Sequence, residues 1–153
     1  MSKAEQRLAE LGLKLPAPAK PVADYVPFVV SGSLVFVSGQ VSMTPDGLIE
    51  GKLGDGLDVD DGVRAARACA LNIVSQLKEA CRGDLDRVTR IVKLGGFVNC
   101  APGFTAQPKV IDGASTLMRE IFGDAGRHAR AAVGAPSLPL GAAVEIDAIA
   151  EIR

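Results

Sequence analysis

Tryptophan is absent from this chain, tyrosine occurs once and phenylalanine five times. So few aromatic faces leave little on which the bases of a single strand could stack. Nor is there an excess of positive charge: 17 Lys and Arg stand against 18 Asp and Glu, for a formal net charge of −1. No broad field draws in a phosphate backbone, and nucleic-acid binding is disfavoured. Histidine also occurs once, and Cys69, Cys81 and Cys100 show neither CxxC spacing nor an even count. A zinc site and a disulfide framework are therefore not expected; the thiols read as small buried side chains in a reducing compartment. No apolar run approaches the length of a membrane span. The opening MSKAEQRLAELGLKLP is charged throughout and lacks the apolar core and cleavage site of a secretory leader. The expected location is cytoplasmic, with no membrane partner.

What is present is an ordinary globular balance: 153 residues, 48% hydrophobic and 23% charged, enough for one domain with one core. Residues 1–19 read as a helical arm and linker, because Leu8 and Leu11 recur at helical spacing and Pro16 and Pro18 end the pattern. Residues 20–153 read as a single domain. Tyr25–Val30 and Leu34–Val41 are β-branched and aromatic runs separated by Ser31-Gly32-Ser33, a hairpin signal. Gly39 interrupts the second run; taken alone, such a glycine marks a bulge or a close approach to the backbone. A Gly- and Asp-rich loop follows, without the ligand order of a calcium loop, and a short strand is expected near Leu48–Leu53.

The strongest helix runs from Asp60 or Asp61 to about Arg82, with Val63, Ala66, Ala70, Ile73, Val74, Leu77 and Cys81 on one stripe. Val88–Cys100 is the next strand, with a kink expected at Gly95-Gly96. A second helix runs from Pro108 to Phe122, Pro108 suiting its first turn. The fold class is α+β: a mixed sheet with two helices on one face. The other sheet face is left apolar and uncovered, which implies self-association.

The last quarter, RHARAAVGAPSLPLGAAVEIDAIAEIR, carries the chemistry. His128–Val133 and Ala143–Ile152 flank a connector holding Pro136, Pro139 and Gly141, the layout of two neighbouring strands. His128, Arg130 and Ala132 share one side of the first; Glu145, Asp147 and Ile149 share a side of the second. A guanidinium can grip a small carboxylate through two parallel hydrogen bonds, and a carboxylate nearby can orient a water or move protons. On spacing alone, a cross-strand ion pair worth a few tenths of a kcal/mol is the more common arrangement for an Arg and a Glu placed as Arg130 and Glu145 are.

Four features of residues 20–153 resemble the RidA/YjgF family of reactive-intermediate deaminases: Ser38-Gly39-Gln40 ending a strand, the helix–strand–helix order, ARxxV at Ala129–Val133, and Leu138-Pro139 leading to VEIDAIA at Val144–Ala150. The resemblance implies a chorismate-mutase-like fold and a homotrimeric barrel with sites in the clefts between subunits. It implies that Arg130 anchors a substrate carboxylate, Glu145 positions water, Gly39 lines the pocket and Tyr25 closes it from the adjoining subunit. The implied reaction is cofactor-independent hydrolysis of 2-imino or enamino acids to 2-oxo acids and ammonia. The alternatives are a trimeric binder of small carboxylates and, less favoured, a ribonuclease or translation inhibitor. Two positions depart from the family pattern: Pro108 stands near the family's Asn, and Ala132 replaces a pocket Cys. His128, beside Arg130, is a candidate additional acid–base group, with a structural hydrogen-bonded role as its alternative.

Overall fold

The core is organised by a 22-residue helix, α2 (Val59–Ala80). Asp58 caps it, accepting from the Asp61 N–H, while the Asp61 carboxylate accepts from the Asp58 N–H. This reciprocal box satisfies two donors that the first turn leaves free. Its stripe of Ala66, Cys69, Ala70, Ile73, Val74 and Leu77 is fully buried. A second helix, α3 (Gln107–Phe122), lays Val110, Ile111, Ala114, Leu117 and Met118 against the same core. The two helices meet through glycine: a Cβ on Gly113 would lie 2.5 Å from the Val63 carbonyl oxygen, and one on Gly62 2.8 Å from Val110. Alanine at either position would force the helices apart.

The computed structural model describes every residue from Met1 to Arg153. Its N-terminal helix, α1 (Lys3–Glu10), is capped by Ser2 and buries Ala4 and Leu8 in the common core. The Asp86 carboxylate accepts from the Lys3 and Ala4 N–H groups, satisfying the helix start. The extended segment that follows is tied to α2, whose Ser75 and Gln76 side chains donate to the Pro16 and Ala19 carbonyls.

Five strands form the main sheet: β1 (Phe28–Ser31), β2 (Leu34–Val41), β7 (Val88–Asn99), β8 (Ala129–Ala135) and β9 (Val144–Ile152). Between β2 and α2 lie two small ladders, β3 (Met43–Thr44) with β4 (Gly47–Leu48), and β5 (Lys52–Leu53) with β6 (Gly56–Leu57). The single short strand expected over residues 48–53 is thus divided between the two ladders. Helices α2 and α3 cover one face of the main sheet, burying Val35, Leu94, Val98, Val144 and Ile146. No helix covers the other, where Val29, Phe36, Phe97 and Val133 are 38–51% exposed. The mixed sheet with helices on one face agrees with the expected α+β class. No helix is long and apolar enough to cross a membrane.

Three local expectations are corrected. The sheet order is β1-β2-β9-β7-β8, so the strands carrying Arg130 and Glu145 are not neighbours; β7 separates them. The cause is α3, a crossover helix that returns the chain beside β7 and makes β8 parallel to it. The connector after β8 then takes the chain to the far side of β7, where β9 pairs antiparallel. Second, β7 runs unbroken through Gly95 and Gly96, and its register shifts fall earlier, near Val88–Lys93. The two glycines make room instead: Gly95 for the Asp147 carboxylate, Gly96 for Ile111, whose Cδ1 a Cβ would approach to 2.7 Å. Third, Tyr25 and Val26 lie before β1 rather than within it.

Candidate functional site

Strand β8 is the last in the sheet, and its register fixes where its side chains go. Arg130 stands opposite Leu94 and Ala132 opposite Gly96, on the helix-covered face. Arg130 therefore reaches α3. Its Nη1 donates to Asp112 Oδ1 at 2.7 Å and to Ser115 Oγ at 3.1 Å, and its Nη2 donates to the Pro108 carbonyl at 3.2 Å. The free guanidinium fork expected from the sequence is instead engaged with the protein. The partner is loosely held, however: the Asp112 side chain is 60% exposed, against 25% for Arg130. An exposed pair of this kind contributes about 0.2–1 kcal/mol, which an incoming anion can replace.

His128 sits immediately before β8, with Nδ1 2.7 Å from the Gly126 carbonyl oxygen and Nε2 2.8 Å from Ser115 Oγ. Arg130, Ser115 and His128 thus form one connected chain of polar contacts. They line an open cleft of about 510 Å³ together with Asp112, Arg119 and Arg127, and no hydrophobic residue contributes to its wall. Three arginines face one aspartate within it, so the cleft is locally cationic although the whole chain is not.

A second group of candidate residues lies on the open face. Glu145 stands opposite Val41 on one side and Phe97 on the other; Asp147 stands opposite Gly95. Between Val37 and Gln40, β2 carries one residue more than β9, so Ser38-Gly39 form a β-bulge. The bulge brings Gly39 against Glu145, where a Cβ would lie 2.9 Å from Oε1. Gly39 is both a bulge and a close approach. Partial burial pushes the Glu145 carboxyl above the usual carboxylate range, with the charge of Asp147 adding to the effect. Asp147 is also raised by burial, with the Gly95 N–H and Lys93 opposing. Tyr25 is 56% exposed. Its segment is held beside the bulge by bonds from Ser38 N–H to the Pro27 carbonyl and from Ser38 Oγ to the Val26 carbonyl.

The predicted site residues therefore divide into two sets. Arg130, Ala132 and His128 belong to the edge cleft; Gly39, Glu145 and the Tyr25 segment belong to the open face. Within one chain β7 lies between them and they point to opposite sides of the sheet. Sequence reasoning missed Asp112, Ser115, Arg119 and Arg127. The available signal was the polar flank of the α3 stripe, where Asp112 and Ser115 are three residues apart.

Comparison with known proteins places this architecture. Residues 5–152 match the family model described as "YjgF/chorismate_mutase-like, putative endoribonuclease". The chain is 53% identical over 148 residues to protein TCP17 of Trypanosoma cruzi, covering 95% of this chain and 92% of that one. Among solved structures it is similar to Atu1372 of Agrobacterium tumefaciens, a protein of unknown function, at 50% identity and a TM-score of 0.91 over 98% of this chain and 94% of that one. The likeness to RidA of an Antarctic Psychrobacter is looser, at 26% identity and a TM-score of 0.59 over 89% and 94% of the two chains. Its sheet, its helices and the extent of these matches make this chain a member of the YjgF/chorismate mutase-like family.

Proposed function

We propose that this protein hydrolyses small 2-imino or enamino acids to 2-oxo acids and ammonia, in a site completed by a second copy of the chain. The observation that carries the reading is the cleft around Arg130: small, cationic and without hydrophobic lining. Such a wall suits a compact anion rather than an apolar ligand. The substrate carboxylate takes the place of Asp112 on Arg130. Its imine carbon is already electrophilic, so the protein needs only to hold it, place a water and limit bulk solvent. Water oxygen adds to the carbon and a water proton passes to the imine nitrogen. The remaining hydroxyl proton of this adduct then passes to the amino nitrogen as the C–N bond breaks, so that ammonia leaves and C=O forms, with no metal or organic cofactor.

Glu145 orients that water. Since it lies on the opposite face from Arg130 in its own chain, the Glu145 and Gly39 that meet Arg130 belong to a neighbouring copy. The uncovered face bearing Phe36, Phe97 and Val133 supports association, and the family resemblance makes a homotrimer the proposed assembly. The test is to generate 2-aminoacrylate with a serine dehydratase and follow its conversion to pyruvate. The expected result is acceleration by wild-type protein and none by Arg130→Ala.

The engaged guanidinium favours one other reading, a binder of small carboxylates without turnover. That reading takes over if pyruvate binds but conversion is not accelerated. The ribonuclease activity in the family description draws no support from a net charge of −1 and a chain without tryptophan.

A further inference from the structure

We propose that Ser115, His128 and Arg130 form a nucleophile, its base and an anion-stabilising cation, acting on small esters or thioesters that carry a negative charge. This does not rest on the deaminase reading. Both use the cleft, but only this one requires the Ser115 hydroxyl.

The hydrogen bonds fix the direction of proton flow. The Gly126 carbonyl can only accept, so His128 Nδ1 carries the proton facing it. In the neutral ring Nε2 is then a lone pair, and the hydroxyl of Ser115, 2.8 Å away, donates to it. A serine, a histidine in contact with it and a third group that orients the histidine make the arrangement that activates a hydroxyl. Here the orienting group is a backbone carbonyl. Its residue, Gly126, is held where a Cβ would collide with the Met118 carbonyl, so the carbonyl is rigidly placed.

Ser115 is also unlike an ordinary helical serine. Mid-helix serines commonly donate back to the carbonyl four residues earlier; the Ser75 hydroxyl lies 3.1 Å from the Leu71 carbonyl oxygen as well as 2.8 Å from that of Pro16. Ser115 instead bonds outward, to His128 and Arg130. Its oxygen has two lone pairs. One accepts from Arg130 Nη1; the other remains for attack. Once Asp112 gives up its place on Nη1, the same guanidinium can donate to the acyl oxygen on which negative charge develops. Arg119 and Arg127 supply further positive charge to the cleft, and so select an anionic substrate. The acids that oppose them are Asp112, on Arg130, and Asp124, whose Oδ1 is 3.6 Å from Arg127 Nε. Both acids are largely exposed.

The chemistry balances without a co-reactant other than water. The Ser115 proton passes to His128 Nε2 as Oγ bonds to the carbonyl carbon. The ester C–O or thioester C–S bond breaks, and the alcohol or thiol leaves with the proton from Nε2. Water then loses a proton to Nε2 and attacks the acyl-serine, releasing the carboxylic acid and restoring the hydroxyl.

The test uses the full chain with mono-p-nitrophenyl succinate, with p-nitrophenyl acetate as the neutral control. Nitrophenol release is followed together with intact mass and peptide mapping of quenched samples. The expected result is preferential turnover of the succinyl ester with a succinyl group on Ser115. The adduct is absent in Ser115→Ala, and turnover falls about 100-fold or more in His128→Asn, the scale of a lost general base. Circular dichroism checks that both variants fold; the wild-type map needs no variant. An adduct on a cysteine or lysine, or release that persists in Ser115→Ala, overturns the proposal, as does the absence of both adduct and turnover. If Ser115 is acylated while 2-aminoacrylate is untouched, only the deaminase reading falls. The converse result removes only this one.

Discussion

Replacing Asp112 by Asn is the most informative single change, because stability and ligand affinity should move in opposite directions. Asp112 Oδ1 lies 2.7 Å from Arg130 Nη1, with its own side chain 60% exposed. A pair this open to water contributes about 0.2–1 kcal/mol to folding. For a chain of this size the melting temperature should therefore fall by no more than about 4 °C. A small carboxylate that binds Arg130 must first displace Asp112, and so forfeits the same energy. Removing the competitor returns it: pyruvate and 2-oxobutyrate should bind Asp112→Asn about 1.4- to 5-fold more tightly than wild type. Calorimetric titration measures this directly. The gain should shrink as salt is raised, since the Asp112 side of the pair is open to solvent. Unchanged or weaker binding in Asp112→Asn, with the fold intact, would refute Arg130 as the carboxylate anchor.

Two further predictions concern the open face. Gly39→Ala places a methyl group 2.9 Å from Glu145 Oε1 and 3.2 Å from its Cγ. The carboxylate end can swing aside, so a melt should show a cost of about 1 kcal/mol, at the low end for overpacking, while 2-oxo acid formation is largely lost. Wild-type turnover would remove Glu145 from the site. The raised pKa of Glu145 gives a pH test. Its carboxyl ionises less readily folded than unfolded, so ionisation penalises the fold above the raised folded value, and the penalty disappears below the ordinary carboxylate range. Glu145→Gln should be more stable than wild type at neutral pH, with the gap closing toward about pH 4. Urea titrations at both pH values decide it; a gap independent of pH contradicts the assignment of desolvation as the cause.

Much of the fold could be read from the chain because its local signals agree with its tertiary structure. The apolar stripe of α2 and the acids at its start point the same way, and the helix forms there, ending at Ala80, two residues short of the expected Arg82. Pro108 likewise falls in the first turn of α3, as expected. Failure came where proximity in sequence was taken for proximity in space. Strands β8 and β9 are joined by a short connector, yet β7 pairs with both. A strand–helix–strand order favours parallel pairing of β7 and β8, whereas the turn residues after β8 favour β8 beside β9. The edge cleft escaped for a different reason. Asp112 and Arg130 are 18 residues apart on different elements, and the polar flank of a helix does not reveal which of its residues a neighbouring strand will meet. Gly39 was readable as a bulge, but its second role depends on Glu145, which only strand pairing brings beside it.

The claim on which the rest depends is that Arg130 of one copy and Glu145 of another serve one site. Mixing settles it. Arg130→Ala and Glu145→Gln, each expected to be inactive alone, are unfolded together in equal amounts, refolded and assayed with dehydratase-generated 2-aminoacrylate. In a closed assembly with random partners, about one quarter of the sites then join an intact Arg130 to an intact Glu145. The mixture should therefore recover about a quarter of wild-type activity; a mixture no more active than either variant alone contradicts the shared site.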